Sequence, residues 1–206
     1  MSQAQQGHRW FAALYDRMVG RSERRLIGPI RRRLLGDIRG RILEVGAGTG
    51  ASFQYYSPEA RVVAIEPDPF MLQRAQRRAE ELGTSTIELR QASAEKLPFE
   101  DVSFDNVVST LVLCTVSDQA AALAEARRVL RPGGALCFIE HVRNDSSRFW
   151  GTTQDVIRPV WGLFSAGCHP NRRTLQAIRD AGFTIEWSET FSLAPGWPGI
   201  YGVARR

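Results

Sequence analysis

Glu44 stands two residues before the first of three glycines, Gly46, Gly48 and Gly50, at the end of an Ile42–Val45 run that is otherwise apolar. Residues 41–45 read as a buried strand, and the glycines let the backbone turn sharply and approach a ligand before a helix begins. A turn of this kind takes the adenosine of a dinucleotide or of an amino-acid nucleoside. Gly46, Gly48 and Ala51, with Glu66 twenty positions after Gly46, satisfy the dinucleotide fingerprint as well. The carboxylate separates the two. A pyrophosphate seeks the N–H groups of the turn and is repelled by an anion beneath them, whereas the ammonium group of S-adenosylmethionine is attracted to one. The plainer reading of Glu44 is an ion pair with a nearby arginine such as Arg41. Glu66, closing the next strand, can accept both ribose hydroxyls of either adenosine; its plainer reading is a cap on the helix that begins near Asp68.

The segment QASAEKLPFEDVSFDNVVSTLVLCTV, residues 91–116, resembles the class I S-adenosylmethionine-dependent methyltransferases. In that group an acidic-Ala-Glu-x-Leu-Pro-Phe…Ser-Phe-Asp connection joins the third and fourth strands. The resemblance implies a cofactor site built from Glu44, Gly46, Ala47, Gly48, Gly50, Glu66 and Pro67. Ser93, Ala94 and Glu95 would flank the adenine edge, and Thr110 and Leu111 would lie beside the methionine portion. The group more often has Asp where this sequence has Ser93. Tyr15 and Asp16, in WFAALYDRM, resemble an N-terminal Tyr-Asp element that closes over the cofactor.

A narrower likeness runs through STLVLCTV, FIEHVR, FWGTTQDVIRPVWGLFSAGCHPNRRTL and GIYGVA. These stretches are similar to methyltransferase-like proteins that methylate small alkyl thiols, relatives of the ubiquinone and phospholipid methyltransferases. The likeness implies a small, fairly apolar thiol as methyl acceptor, with phosphatidylethanolamine N-methylation or quinone-precursor C-methylation as alternatives. Animal members begin with a hydrophobic membrane anchor, and the polar start of this sequence is not expected to act as one.

A thiol acceptor makes one chemical demand beyond alignment, because the thiolate is the reactive form and a free thiol near pKa ~8.5 is only slightly ionised at neutral pH. His141, just past the fifth strand, is the best-placed base. Asp155 could orient it, and Arg172 and His169 are further candidates. Glu140 alternates with His141, so only one of the two faces the pocket. Phe149, Trp150, Trp161, Phe164, Trp197 and Tyr201 would form a dry apolar enclosure. Direct transfer needs no enzyme nucleophile, so Cys114 and Cys168 are assigned packing roles.

The elements that must position these residues alternate in type from residue 41 onward. Strands are expected at RILEV, RVVAIEP, TIELRQ, SFDNVVST, ALCFIEHV, FTIEWSET and GIYGVARR. Helices intervene, one opened by Asp68-Pro69 and ended by Gly83, one over SDQAAALAEARRVL and one near 172–181. This pattern predicts an α/β, Rossmann-like methyltransferase fold, a seven-stranded mainly parallel sheet with helices on both faces. Residues 1–40 are expected to form a helical lid, and 41–206 the methyltransferase domain with a lid insertion around 144–172.

A chain of 206 residues, 43% hydrophobic and 24% charged, suits one soluble domain, and the cytoplasm is the expected compartment. Three scattered cysteines without Cys-x-x-Cys spacing predict neither a metal site nor a disulfide framework. The net charge of +5 is uneven: residues 1–41 hold ten Arg against three acidic residues, +7, leaving −2 for the rest. In residues 22–41 Leu26, Ile27, Ile30 and Leu34 share a helical face and arginines fill the other, interrupted by Gly28-Pro29. That pattern predicts a helix packed on its own domain with a solvated basic face. Peripheral contact with an anionic membrane is the alternative, and no nucleic-acid partner is expected. The sequence sets no oligomeric state.

Overall fold

The computed structural model describes residues 23–164 and 167–206. Seven strands form one sheet: β1 (Arg41–Val45), β2 (Arg61–Ile65), β3 (Ile87–Arg90), β4 (Phe104–Thr110), β5 (Leu130–His141), β6 (Thr184–Ala194) and β7 (Trp197–Arg205). Their spatial order is β3-β2-β1-β4-β5-β7-β6. The first five run parallel; β7 is antiparallel to β5, and β6 to β7. The order reverses between β1 and β4, so a ligand crevice is expected beyond their carboxyl ends.

The helices are α1 (Gly28–Leu35), entered through a π-turn at Glu23–Ile27, then α2 (Pro69–Glu81), α3 (Gln119–Val129), α4 (Arg148–Phe164) and α5 (Thr174–Asp180). Asp68 caps α2 by accepting from Phe70 N at 2.8 Å and Met71 N at 3.2 Å, with Pro69 in the first turn where its missing N–H is harmless. Gly83 just beyond takes a left-handed φ of +63°. Asp118 caps α3 through Ala121 N at 3.0 Å. Among the described residues no helix is long and apolar enough to cross a membrane.

Alternation sorts β1 between two apolar layers. Leu43 and Val45 join Phe104, Leu123, Phe138 and Ile178 on one face. Ile42 joins Ile27, Leu34, Ala75 and Ile139 on the other. Glu44 shares the parity of Ile42 and therefore faces the layer that α1 covers. Ile27, Leu34 and Leu35 are 1%, 5% and 1% exposed, and burying each stabilises the fold by roughly 1.5–3 kcal/mol, so α1 is an integral part of the domain. Two details depart from the sequence pattern. Leu26 is 38% exposed, because the π-turn inserts a residue into the 3.6-residue register and turns it off the apolar face. Arg31, expected on the solvated basic face, points inward at 6% exposure.

Candidate active site

The glycine turn begins where β1 ends. Ala47 N donates to Ile65 O at 2.9 Å, and Gly50 N to Ala47 O at 2.9 Å. Gly46, Gly48 and Gly50 all have positive φ. A β-carbon on Gly46 would lie 2.5 Å from the Val112 side chain, and one on Gly50 would lie 2.6 Å from the Phe53 ring. One on Gly48 would meet nothing within 4 Å. The turn is therefore packed against the fold at its two ends and open in its middle, as a cradle for a ligand must be.

Glu66 ties this turn to the start of α2. Its Oε2 accepts from Gly48 N at 2.9 Å and its Oε1 from Asp68 N at 3.0 Å. Burial pushes its carboxyl above the ordinary carboxylate range, with the two backbone donors opposing that rise. Each oxygen retains a lone pair for a further donor, so the bridge is compatible with a ribose role. Pro67 is exposed, and its carbonyl accepts from Gln91 Nε2 at 3.0 Å.

Glu44 is 2% exposed and does not stand alone. Its Oε2 accepts from the Tyr56 hydroxyl at 3.0 Å, Ser52 supplies a second donor, and the Arg31 cation lies close enough to favour ionisation. Burial outweighs these and raises the carboxyl. The partner is Arg31, which also donates to Ser52 Oγ. Arg41 instead holds its guanidinium over the Phe104 ring at 4.7 Å, with its backbone N–H on Asp105. An offsetting cation weakens the preference that an isolated carboxylate would exert between the two adenosine ligands. Arg31 could have been noticed in the sequence: it lies four residues after Ile27 and three before Leu34, within the apolar stripe.

In the loop from β3 to β4, Ala94 is buried at 6%. Ser93 donates to Glu95, whose other oxygen accepts from Ser117 N at 2.9 Å. Burial works to raise the Glu95 carboxyl, but the Ser93 hydroxyl and backbone donors around residues 95, 117 and 118 together hold it below its ordinary value. Ser93 and Glu95 thus brace this loop against the entry to α3. At the end of β4 the Thr110 hydroxyl oxygen is buried without a hydrogen-bond partner, and Leu111 adopts φ +57°, a strained choice for a side-chain-bearing residue. Tyr15 and Asp16 lie outside the described residues.

Glu140 and His141 leave β5 on opposite faces, as alternation requires. Glu140, fully buried, accepts from Ser109 Oγ at 2.7 Å, Val112 N at 3.2 Å, Leu113 N at 3.0 Å and Cys114 N at 3.1 Å. It anchors the loop after β4. His141 is 4% exposed; its Nδ1 is 3.6 Å from Cys168 Sγ, and its Nε2 has no hydrogen-bond partner among the described residues. Its ring stacks on Trp197 at 5.2 Å, and Trp197 stacks on Trp161 at 4.5 Å.

The other catalytic candidates do not reach this histidine. Asp155 is exposed on α4 and binds Arg143 at 2.6 Å and Asn171 at 2.9 Å; Cys168, given only a packing role above, occupies the place beside His141 that an orienting Asp155 would need. Arg172 donates to the carbonyls of Leu113 at 2.5 Å and Val116 at 2.6 Å, clamping the same loop that Glu140 anchors. Burial lowers its pKa, opposed by the nearby Cys114, Glu140 and Cys168. His169 holds the Cys114 carbonyl through its backbone N–H at 2.7 Å. Of the aromatic enclosure, among the described side chains, Trp197 stacks on His141 and Trp161 on Trp197. Phe149 is 70% exposed, Trp150 packs beneath Gly196, and Tyr201 belongs to the α1 side with Arg33 and Glu189. The Phe164 side chain lies outside the described residues. Cys168 left little trace in the sequence, being 27 positions from the histidine it touches.

A glycine turn at the switch point, an acidic residue closing β2 and an antiparallel β7 inserted beside β5 define a class I S-adenosylmethionine-dependent methyltransferase, and the chain belongs to that family. The family model described as "Methyltransferase domain" matches residues 43–138. The thiol S-methyltransferase TMT1A of Homo sapiens is 34% identical over 203 residues, covering 94% of this chain and 82% of that protein. A phosphatidylethanolamine N-methyltransferase of Cereibacter sphaeroides is 38% identical over 105 residues, 50% of this chain and 52% of that one. The structure of a geranyl diphosphate methyltransferase in complex with SAM superposes with a TM-score of 0.68 at 18% identity, over 89% of this chain and 90% of that one. S-adenosylmethionine is the cofactor of this family, and the site suits it: the space above Gly48 admits a ligand, and the unpartnered Thr110 hydroxyl lies at the same end of the sheet.

Proposed function

We propose that the chain transfers the methyl group of S-adenosylmethionine to a small, fairly apolar thiol. The observation that carries this reading is His141, a buried base with an unpartnered Nε2, enclosed by stacked Trp197 and Trp161 at the end of β5. The likeness to thiol S-methyltransferases over nearly the whole chain supports it.

The cofactor supplies an electrophilic methyl group on a sulfonium. The chain's residues have the remaining tasks. The Gly46–Gly50 turn and Glu66 would hold the adenosine, with Glu44 and Thr110 toward the amino-acid portion. Ser93, Ala94, Glu95 and Leu111 would complete the walls. The indole faces exclude water, which matters because a dehydrated thiolate is a stronger nucleophile. His141 Nε2 takes the thiol proton, directly or through one water. Arg172 serves by holding the 113–117 carbonyls in place.

A radiolabelled methyl-transfer assay across a panel of alkyl and aryl thiols tests this, with phosphatidylethanolamine and a quinol precursor as controls. Turnover of thiols is expected. Turnover of the controls alone would end the thiol reading, and the partial likeness to a phosphatidylethanolamine N-methyltransferase makes that lipid the control to watch. Peripheral contact of the basic N-terminal segment with anionic lipid belongs to that second reading and predicts salt-sensitive liposome binding.

A further inference from the structure

We propose that Cys168 is the positioning residue for His141: its sulfur accepts the hydrogen bond from Nδ1–H and thereby leaves Nε2 as the basic nitrogen. The inference deepens the thiol reading above and rests on it for the identity of the acceptor. A neutral imidazole carries one proton, and the partner on one nitrogen decides which nitrogen keeps the lone pair. In hydrolase triads a carboxylate makes that choice. Among the described residues no carboxylate stands at Nδ1. Cys168 Sγ does, at 3.6 Å, and both side chains are buried. Nε2 on the far edge is buried with no partner among the described residues, and the Trp197 face fixes the ring plane.

The surroundings favour sulfur as an anion at this position. Cys114 and Cys168 act on each other, and the two thiols are driven in opposite directions, Cys114 up and Cys168 down. The Cys114 hydrogen bond lowers Cys168, the His141 ring N–H adds to that as a donor, and the nearby Trp161 indole adds further; burial opposes all three. Cys114 is raised by its bond to Cys168, by burial and by the Glu140 carboxylate. Cys168 is thus the member of the pair expected to ionise first, because it faces donors while Cys114 faces the Glu140 carboxyl. Besides Glu140, the charged or titratable groups around the pair are Arg172, His169 and Arg158. During turnover the acceptor's S–H proton goes to Nε2 while its electron pair stays on the acceptor sulfur. The imidazolium later returns that proton to water.

Two measurements on the full chain test this. The first is the ultraviolet absorbance of thiolate in the cofactor-free protein as a function of pH, which needs no methyl acceptor. Cys137 is pushed up to about 12 by burial and Cys114 is also raised, so one thiolate per chain is expected at neutral pH. It should vanish in Cys168→Ser, persist in Cys137→Ala, and titrate at higher pH in His141→Gln. The second is kinetic, with whichever acceptor the thiol panel identifies. Cys168→Ser should lower kcat by about 10–100-fold, a fraction of what a general base contributes, with KM little changed. Cys168→Asp should recover part of that loss, since a carboxylate also accepts from Nδ1–H. A purely structural cysteine predicts no thiolate signal at neutrality and no rescue by Asp. Absence of the neutral-pH thiolate overturns the proposal, as does a Cys168→Ser enzyme with wild-type kcat. Failure of every thiol as acceptor, with the absorbance signal intact, counts against the substrate reading only.

Discussion

Gly46 and Gly48 lie two residues apart in one turn and are needed for different reasons, which alanine at each position separates. Both have left-handed φ, +63° and +57°. That conformation costs a residue with a β-carbon roughly 1–2 kcal/mol. At Gly46 the new methyl would also press into Val112, 2.5 Å from one γ-carbon and 2.9 Å from the other, and overpacking of this kind adds about 1–3 kcal/mol. Gly46→Ala should therefore destabilise the protein by about 2–5 kcal/mol, and Gly48→Ala by only about 1–2 kcal/mol. For a chain of this size each ~1 kcal/mol moves Tm by roughly 2–4 °C, so thermal unfolding without cofactor distinguishes the two variants. Cofactor affinity should rank them the other way. The methyl at Gly48 meets no protein atom within 4 Å and projects into the space assigned to the cofactor, so a loss of at least ~1.4 kcal/mol, about tenfold in Kd, is expected by calorimetry with S-adenosylmethionine. Wild-type affinity in Gly48→Ala, or a Tm loss matching that of Gly46→Ala, would refute this division of roles.

Glu140→Gln replaces a four-fold acceptor by an amide whose NH2 must face at least one of the donors at Ser109, Val112, Leu113 or Cys114. Losing one bond to a charged group costs about 1.5–3 kcal/mol, and an unchanged Tm would contradict the anchor role. Burial raises Glu44 in the folded state, so the stability tied to its neutral form is present below the ordinary carboxylate value and is lost as pH rises through the folded value. Glu44→Gln should accordingly flatten the fall of Tm with rising pH in that window; a variant curve parallel to wild type would show that Glu44 does not carry it. Asp155→Asn removes an exposed pair with Arg143 worth about 0.2–1 kcal/mol and should leave kcat within about twofold, whereas a large kcat loss would return Asp155 to the reaction.

The succession of strands and helices along the chain, the glycine turn and the ends of α2 were legible because each depends on local chemistry. Asp68-Pro69, Gly83 and the run from Arg41 to Gly50 impose their conformations on any context, and the structure reproduces them. Side-chain partnerships across the fold were not legible. Glu44 was recognisable as an unusual buried anion, yet its partners Tyr56, Ser52 and Arg31 come from a loop and a helix that only tertiary packing brings to β1. Alternation separated Glu140 from His141 correctly but could not say what lies opposite each. A carboxylate commonly orients a histidine, which makes Asp155 a candidate by residue type, but the helix register of α4 directs it to Arg143 instead.

The end of β5 couples these observations. Glu140 on one face fixes the backbone N–H groups of residues 112–114, while Arg172 and His169 hold carbonyls of the same loop. Cys114 is consequently located from both sides, and its thiol is raised by its bond to Cys168, by burial and by the Glu140 carboxyl beneath it. A protonated Cys114 is what allows Cys168 to carry charge toward His141. On the role proposed for Cys168, the carboxyl that alternation directs away from the pocket would act on the histidine that faces it, through two sulfurs and without touching either ring nitrogen. A polar neutral residue at position 140 would remove the charge that keeps Cys114 a donor, and the thiolate beside His141 would be expected to weaken together with the loop.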